Sequence, residues 1–150
     1  KDNLFIKKTL INVMNEYGVP SEGTALADLE LNHMYESYSL DKHIYYILTI
    51  ENKIVGGAGI APLKNSDKNI CELQKMYFLP ISRGKGLGSL MIKKCIDYAS
   101  KSRFEYCYIE TMHNMIKAQK LYTSYGFKFI DSPLGNTGHS SCTVWMLKKL

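Results

Sequence analysis

The feature that most constrains this chain is a glycine-rich turn with two cations, Arg83-Gly84-Lys85-Gly86-Leu87-Gly88. It follows an apolar run, 70–79, that predicts a β-strand, and it opens a segment with helical periodicity, 87–101. Free backbone N–H groups at a helix start favour an anion, as does the helix dipole, and glycine lets that anion approach the main chain. The turn therefore predicts a phosphate-binding site between a strand and a helix.

The spacing of the glycines excludes two common nucleotide-binding motifs. A nucleoside-triphosphate loop needs four residues between its first glycine and a Gly-Lys-Ser/Thr ending, which this turn lacks. A dinucleotide fingerprint needs Gly-x-Gly-x-x-Gly, but here the third glycine comes one residue early. The pattern that fits is Arg-x-x-Gly-x-Gly, formed by Arg83, Gly86 and Gly88.

This pattern resembles the turn with which the GNAT superfamily of acyl-CoA-dependent N-acetyltransferases holds the pyrophosphate of coenzyme A. Upstream, the segment 72–80, Glu-Leu-Gln-Lys-Met-Tyr-Phe-Leu-Pro, is similar to the central strand of the family. Downstream, the segment 114–127 is similar to its second cofactor motif. The motifs together cover about residues 53–130, and their occurrence in this order is more specific than the glycine turn alone.

The resemblance implies acetyl-CoA as the co-substrate and no metal. The pyrophosphate would lie on the backbone of the turn, aided by Arg83 and Lys85, and the pantetheine arm would run along the preceding strand. The family places an asparagine against the cofactor at the start of the second motif; Asn114 occupies this position, although an asparagine equally suits an N-cap. The implied cofactor-binding residues are Met76, Tyr77, Phe78, Arg83, Gly84, Lys85, Gly86, Leu87, Gly88, Asn114 and Ala118.

Acetyl transfer to a primary amine needs a base, because an amine with a pKa of about 10 is mostly protonated at neutral pH. Glu72 is the candidate, since it stands four residues before Met76, a spacing at which the family can place a base, often acting through water. Strand alternation predicts that one face carries Glu72, Gln74, Met76 and Phe78. The alternative is a partly exposed glutamate paired with a lysine. The resemblance also implies that the Met76 N–H donates a hydrogen bond to the thioester carbonyl.

Tyr122 is the candidate general acid that protonates the leaving thiolate. Asn114, Ala118 and Tyr122 follow one another at i, i+4 and i+8, so they form one stripe along a predicted helix, 115–125. The family motif places a tyrosine beside the cofactor sulfur eight residues after the asparagine, which implies this role. On the residues alone, the buried face of an amphipathic helix is the better interpretation of Tyr122.

The predicted elements give the fold class α/β (α+β). With the resemblance, we expect a mixed, mostly antiparallel sheet of about six to seven strands flanked by about four helices, in a single domain over residues 1–150. The predicted helices span 4–17, 25–37, 87–101 and 115–125, and the strands 44–51, 53–61, 70–79, 106–111, 127–131 and 143–148. Family members usually begin with a strand, which we expect to be absent here or to lie upstream of residue 1.

Bulk properties narrow the class of protein. A chain of 150 residues with 45% apolar content suits one domain with a substantial core. No apolar stretch approaches the ~20 residues of a membrane span, and no signal peptide is visible, so we expect no membrane partner. The four cysteines lie far apart without a Cys-x-x-Cys pair, which predicts neither a disulfide framework nor a zinc site and indicates a reducing cytoplasm.

The net charge of +5 hides an asymmetry between two regions. Residues 9–41 contain six acids and no Lys or Arg, whereas 42–150 carry a balance of +9. A basic region suits a polyanion and an acidic region suits a cationic amine, although a solvated helix face explains the acids equally well. The cations are dispersed, without a basic run or an aromatic ladder, which argues against nucleic-acid binding.

We therefore expect acetylation of a primary amine, on a small molecule or peptide, by direct attack in a ternary complex. The alternative is a catalytically inactive domain that binds acyl-CoA as a sensor or scaffold, which the candidates Glu72 and Tyr122 disfavour. The acceptor is left open, and a homodimer would be usual for the family. His139, in the glycine-rich loop 132–141, and His113 are further candidates for the site. The alternative for the loop of His139 is a plain hairpin, and the alternative for His113 is a surface position.

Overall fold

The computed structural model describes residues 2–67 and 69–150. Its strands are β1 (Ile44–Ile50), β2 (Lys53–Pro62), β3 (Ile70–Phe78), β4 (Tyr106–Thr111), β5 (Lys128–Ile130) and β6 (Val144–Lys149). They form one six-stranded sheet in the order β1-β2-β3-β4-β6-β5. Every neighbouring pair is antiparallel except β3 and β4, which run parallel. The predicted mixed, mostly antiparallel sheet is confirmed.

The helices of the described residues are α1 (Asn3–Glu16), α2 (Met34–Ser37), α3 (Leu87–Lys101) and α4 (Ile116–Ser124). Short 3₁₀ helices add Ala25–Ala27, Leu29–Asn32 and Pro80–Ser82. In this part of the chain no helix has both the length and the apolar character needed to cross a bilayer.

The predicted helix over 25–37 is wrong as a single element, because the segment forms two 3₁₀ helices followed by α2. The breaks fall at Asp28, which is extended (φ −66°, ψ 118°), and at His33 (φ −136°, ψ 43°). The Asp28 carboxylate contacts Lys75 and His139. We attribute the first break to these tertiary contacts, which outweigh the helix propensity of a segment rich in Ala, Leu and Glu, because propensity alone is a weak determinant.

Apolar side chains pack on both faces of the sheet. One cluster joins α1 and the 25–37 segment to the sheet and includes Ile6, Leu10 and Met14. The other joins α3 and α4 to the sheet and includes Ile92. Ala118 of α4 contacts both clusters, so α4 lies where the two cores meet.

The parallel strands β3 and β4 pair over only part of their length. Their ladder joins residues 70–72 to 106–108, whereas β3 continues to Phe78 and β4 to Thr111. Beyond Glu72 the two strands diverge. Strand backbone that lacks a partner can hydrogen-bond an extended ligand in the manner of an added strand. The divergence therefore positions a site.

A β-bulge at Lys75 changes which side chains of β3 face each layer. Gly57 and Gly59 of β2 pair with β3 residues that are three apart, so β3 carries one extra residue. Lys75 has a positive φ of 50°, and its carbonyl accepts a hydrogen bond from the Tyr45 hydroxyl at 2.8 Å. The bulge interrupts the alternation of side chains on which the face prediction depended.

The predicted common face for Glu72, Gln74, Met76 and Phe78 is therefore wrong. Met76 and Phe78 pack against the cluster under α3. Gln74 accepts a hydrogen bond from Tyr38, a residue of the α1-side cluster, and donates one to Glu72. The extra residue at the bulge separates the two pairs onto opposite faces.

We expect Gly57→Ala to lower the free energy of unfolding by about 2 kcal/mol, because the new Cβ overpacks the sheet. That atom would lie 2.5 Å from Tyr45 Cε1 and 2.6 Å from the Tyr46 carbonyl oxygen. Urea denaturation measures the loss. Gly18→Ala is the control, since φ is +64° there but no neighbour lies within 4 Å, and it should cost about 1 kcal/mol. Equal losses in the two variants would contradict the packing argument.

Candidate active site

A cleft of about 720 Å³ lies between the end of β3 and α4. The glycine-rich turn and the C-terminal end of α1 complete its walls. Ten of the predicted cofactor-binding residues line it together with the candidate acid: Met76, Tyr77, Phe78, Arg83, Gly84, Gly86, Leu87, Gly88, Asn114, Ala118 and Tyr122. Lys85 is exposed on the turn and is not among the lining residues.

The turn presents bare backbone to the cleft. Gly84 and Gly86 have φ of +72° and +73°, and a Cβ built at either position would meet nothing within 4 Å. Such positive φ values favour glycine. Gly86 is the N-cap of α3, so the free N–H groups of the first helical turn begin here. This arrangement suits an anion such as a phosphate.

Arg83 is engaged by other protein groups. Its guanidinium donates two hydrogen bonds to the Glu16 carboxylate, and the bond from Nη2 is 2.8 Å long. The Arg83 Nε also donates a hydrogen bond to the Phe78 carbonyl at 2.9 Å. The guanidinium also lies 5.2 Å from the centre of the Tyr17 ring. These contacts tie the end of α1 to the turn. The exposed Lys85 has no ion pair with any described residue and is free to meet an anion.

Asn114 connects two walls of the cleft. Its amide donates a hydrogen bond to the Tyr17 carbonyl at 3.2 Å, which joins the start of α4 to the end of α1. The N-cap of α4 is Met115, so the capping alternative for Asn114 does not hold. Ala118 follows on the cleft side of α4.

Tyr122 lies in the cleft wall with a free hydroxyl. The residue is 6% exposed, and its ring packs against Phe127 at 6.1 Å between centroids. The Tyr122 hydroxyl forms no hydrogen bond with any described residue. Among the described residues, every fully buried side-chain N or O atom has a hydrogen-bond partner. The Tyr122 hydroxyl is therefore not fully buried, and we infer that it is open to the cleft that Tyr122 lines. Burial raises the pKa of Tyr122, with a smaller contribution from Cys95, so the phenol stays protonated at physiological pH.

Glu72 lies in a second cavity, of about 40 Å³, which is next to the cleft. Tyr77 and Met115 line both spaces. The structure therefore does not bring Glu72 and Tyr122 into one cavity. A base at Glu72 would have to reach the cleft past Tyr77 and Met115, through water or through the substrate itself.

The Glu72 carboxylate is almost fully buried, with 4% exposure, and no Lys or Arg among the described residues pairs with it. The alternative of an exposed, lysine-paired glutamate therefore does not hold. Gln74 Nε2 donates to Glu72 Oε2 at 2.6 Å, and Gln74 is held in turn by Tyr38. Burial raises the pKa of Glu72 to about 7, against the opposing effect of the Gln74 hydrogen bond. A pKa in this range suits a general base at neutral pH.

A buried ion cluster surrounds this second cavity. Lys75, 7% exposed, lies 2.7 Å from Asp28 Oδ2 and 3.0 Å from Glu30 Oε2. Burial would raise the pKa of Asp28, but the His139 hydrogen bond and the Lys75 charge outweigh burial and lower it. Two of the acids in the 9–41 region are therefore fixed by a buried lysine. A lysine in the middle of the predicted strand 70–79 was the sequence signal for this cluster.

His139 reaches the second cavity from the glycine-rich loop. Its Nε2 donates to Asp28 Oδ1 at 3.0 Å, and its Nδ1 lies 3.7 Å from Glu110 Oε2. Burial lowers the pKa of His139, but the Asp28 hydrogen bond and charge outweigh burial and raise it. Glu110 escaped the sequence analysis, although a carboxylate within the strand 106–111 was a possible signal. His113 is exposed and lines neither cavity.

Comparison with known sequences gives one family and a close relative. The profile of the Acetyltransferase (GNAT) family matches residues 9–127. The uncharacterized N-acetyltransferase YjgM of Escherichia coli (strain K12) is 43% identical, in an alignment that covers 100% of this chain and 90% of YjgM.

Solved structures share the fold. An acetyltransferase of the GNAT family from Staphylococcus aureus Mu50 has a TM-score of 0.82 at 22% identity, covering 96% of this chain and 92% of the other. A GNAT family acetyltransferase from Elizabethkingia anophelis with acetyl-CoA bound has a TM-score of 0.59 at 19% identity, covering 85% and 91%. At these identities the likeness shows the common fold.

We expect Glu72→Gln to change how stability depends on pH. Folded Glu72 has a pKa of about 7, so between pH ~4.5 and 7 the native state keeps a proton that the unfolded chain has lost. The wild-type free energy of unfolding therefore falls across this window and is level above it, as far as Glu72 contributes. As the pH rises from ~4.5 to 7, the free energy of unfolding of the variant should increase by roughly 3 kcal/mol relative to that of wild type.

Urea denaturation from pH 4.5 to 8 measures this difference in unfolding free energy. Glu22→Gln, which removes the same charge from an exposed position, is the control. A constant difference between Glu72→Gln and wild type at all pH values would show that the carboxyl is not destabilised by burial.

Proposed function

Because this chain belongs to the Acetyltransferase (GNAT) family, we propose that it transfers the acetyl group of acetyl-CoA to a primary amine by direct attack in a ternary complex. The family match and the 43% identity to an N-acetyltransferase identify it as an acetyltransferase. The observation that carries the finer proposal is the cleft, where an open backbone turn and the free Tyr122 hydroxyl lie along one space. A molecule with a diphosphate and a thioester matches these two features.

The turn would hold the diphosphate on the N–H groups of 84–88, with charge from Lys85. Two open glycines with positive φ support this assignment. Arg83 would contact the diphosphate by giving up Glu16. The bound acetyl-CoA of the Elizabethkingia anophelis acetyltransferase supports the choice of co-substrate.

The bulged end of β3 would bind the rest of the co-substrate. Its backbone after Glu72 has no strand partner in β4, so it is available to an extended pantetheine arm. The Met76 N–H would donate a hydrogen bond to the thioester carbonyl and stabilise the negative charge that develops there during attack. Leu87 and Gly88 at the start of α3, with Ala118 of α4, would enclose the arm.

Glu72 would take the proton from the amine and Tyr122 would supply one to the thiolate. The pKa of Glu72, raised by burial to about 7, brings this carboxylate closer to the pKa of an amine than an exposed glutamate would be. The raised pKa of Tyr122 keeps the phenol protonated until the thiolate forms. Proton transfer to a thiolate of pKa about 8.5 then costs about 1.4 kcal/mol per unit of pKa difference.

We also propose a reducing cytoplasm as the site of action, on the state of the cysteines. Cys71, Cys95, Cys107 and Cys142 are all free, and the first three are buried. Burial raises the pKa of the Cys95 thiol to about 12, so this thiol is unreactive at neutral pH. Free structural thiols are typical of reducing compartments.

We expect Gly86→Ala to weaken coenzyme A binding at least tenfold, since it strains a position with φ +73° and adds a methyl group to the space assigned to the anion. Isothermal titration calorimetry measures the dissociation constant. Gly138→Ala is the matched control, because φ is +83°, no neighbour lies within 4 Å, and the position does not line the cleft. Equal affinity of both variants and wild type would remove the turn from the cofactor site.

We expect Tyr122→Phe to lower kcat by roughly 10²-fold near pH 7, because the thiolate loses its proton donor. Thiol release from acetyl-CoA across a panel of primary amines measures it. Tyr125→Phe is the control on the same helix; its hydroxyl donates to the Ser89 carbonyl and does not line the cleft. Wild-type turnover in Tyr122→Phe would refute the acid role. Coenzyme A binding without turnover of any amine would favour a sensor or scaffold domain.

A further inference from the structure

We infer that Glu72, Glu110 and His139 form a tripod that binds the acceptor as a primary ammonium ion. This inference rests on the proposed function and names the form in which its acceptor is recognised. One carboxylate oxygen from each glutamate and one ring nitrogen of His139 lie within 4.8 Å of one another. All three residues line the small cavity beside the cleft.

The charge around the tripod calls for a cation. Lys75 is already paired with Asp28 and Glu30. Among the described residues, no Lys or Arg pairs with Glu72 or Glu110, although Glu72 is 4% exposed. In the described part of the chain, the cationic group that faces Glu110 is His139, and only while it is protonated; a buried carboxylate without such a partner is costly. A cationic ligand in the cavity would supply that partner.

The three residues keep acceptor capacity that protein groups do not use. Gln74 hydrogen-bonds Oε2 of Glu72, and Oε1 bonds to no described residue. Since every fully buried side-chain N or O atom in the described part has a partner, Oε1 opens into the cavity. The hydrogen bonds from Tyr108 to Oε1 and from Thr137 to Oε2 hold the Glu110 carboxylate in place.

His139 contributes its Nδ1. Because the Asp28 carboxylate only accepts, His139 Nε2 carries a proton, and in the neutral ring Nδ1 is then a bare acceptor. That Nδ1 faces Glu110 Oε2 at 3.7 Å. Two lone pairs at this separation repel unless a proton or a cation lies between them. Against the opposing effect of burial, Asp28 raises the pKa of His139 and so favours a proton on Nδ1 in the free protein. The ammonium ion replaces that proton, His139 releases it to solvent on binding, and Asp28 fixes the ring orientation.

The spacing of the three residues admits an ammonium nitrogen. An ammonium nitrogen donates its hydrogen bonds in tetrahedral directions. With donor–acceptor distances of about 2.8 Å, the three acceptor atoms then lie about 4.6 Å from one another. Zinc with bonds of about 2.1 Å would bring its ligands to about 3.4 Å. One ligand atom from each residue lies within 4.8 Å of the other two, which accommodates the ammonium spacing. The Nδ1–Oε2 separation of 3.7 Å lies between the two values and closer to that of zinc, so zinc is the competing ligand that the experiment must exclude.

The size of the cavity limits what enters with the nitrogen. Its volume is about 40 Å³, and by this measure one water needs roughly 10–15 Å³. The space holds an ammonium group and little more than the carbon next to it. Three acceptors also require three N–H donors, so N-methylation of the ligand removes one hydrogen bond per methyl group and adds bulk.

Titration of n-propylammonium into the protein without acetyl-CoA, followed through the His139 ring NMR signals, tests the inference independently of turnover. His139→Asn assigns those signals. We expect a saturable shift with n-propylammonium, and an affinity at least roughly tenfold weaker for propyltrimethylammonium. Glu110→Gln should weaken the binding of n-propylammonium to a similar extent. Glu105→Gln, which changes an exposed glutamate beside β4, should leave that affinity unchanged.

Equal affinity for the trimethylated ion, or no response to n-propylammonium, would overturn the inference. Titration with zinc is the second experiment. Saturable zinc binding without a response to n-propylammonium would overturn the ammonium inference in favour of a metal site. If primary amines still release thiol from acetyl-CoA while His139 stays unperturbed, the tripod fails and the acetyltransferase function stands. Ammonium binding without thiol release from any amine would support the tripod and refute the catalytic proposal.

Discussion

The short ladder between β3 and β4 is the constraint on which the site depends. The two strands pair through residues 70–72 and 106–108 and then part. A sheet whose strands stay paired has no room between them, so this separation is what gives the cleft its position. Side chains from both strands meet where the ladder ends: Glu72 is its last β3 residue, and Glu110 lies two residues past its last β4 partner. The cleft and the second cavity are thus two consequences of one divergence.

The bulge at Lys75 couples the strand to the chain segment in front of β1. The extra residue turns a lysine into the α1-side layer, where Asp28 and Glu30 neutralise it. The same contacts interrupt the helix that the 25–37 segment would otherwise form. Burying a lysine with two carboxylates is weak evidence for added stability, because desolvation offsets much of the attraction. Its clearer effect is on position, since it holds the segment that in turn orients His139 through Asp28.

Local patterns predicted the parts of the structure that local physics determines. The glycine turn and α3 follow from glycine spacing and helical periodicity, and the β4 bounds of 106–111 match the prediction. Features that depend on distant residues could not be predicted from local patterns. The faces of β3 were mispredicted because a bulge depends on pairing with Gly57 and Gly59. Glu110 was missed because its partners, Thr137 and His139, lie in a loop without periodicity, and Arg83 was not seen to be held by Glu16.

The pairing of Arg83 with Glu16 joins the glycine-rich turn to the C-terminal end of α1. Both side chains keep substantial solvent contact, at 31% and 42% exposure, so the pair is of the kind worth at most about 1 kcal/mol. An incoming polyanion can therefore recruit the guanidinium at little cost. Release of Glu16 would in the same event untie the tail of α1 from the loop before α3. Binding of an anion at the turn would then change the contacts that hold the C-terminal end of α1.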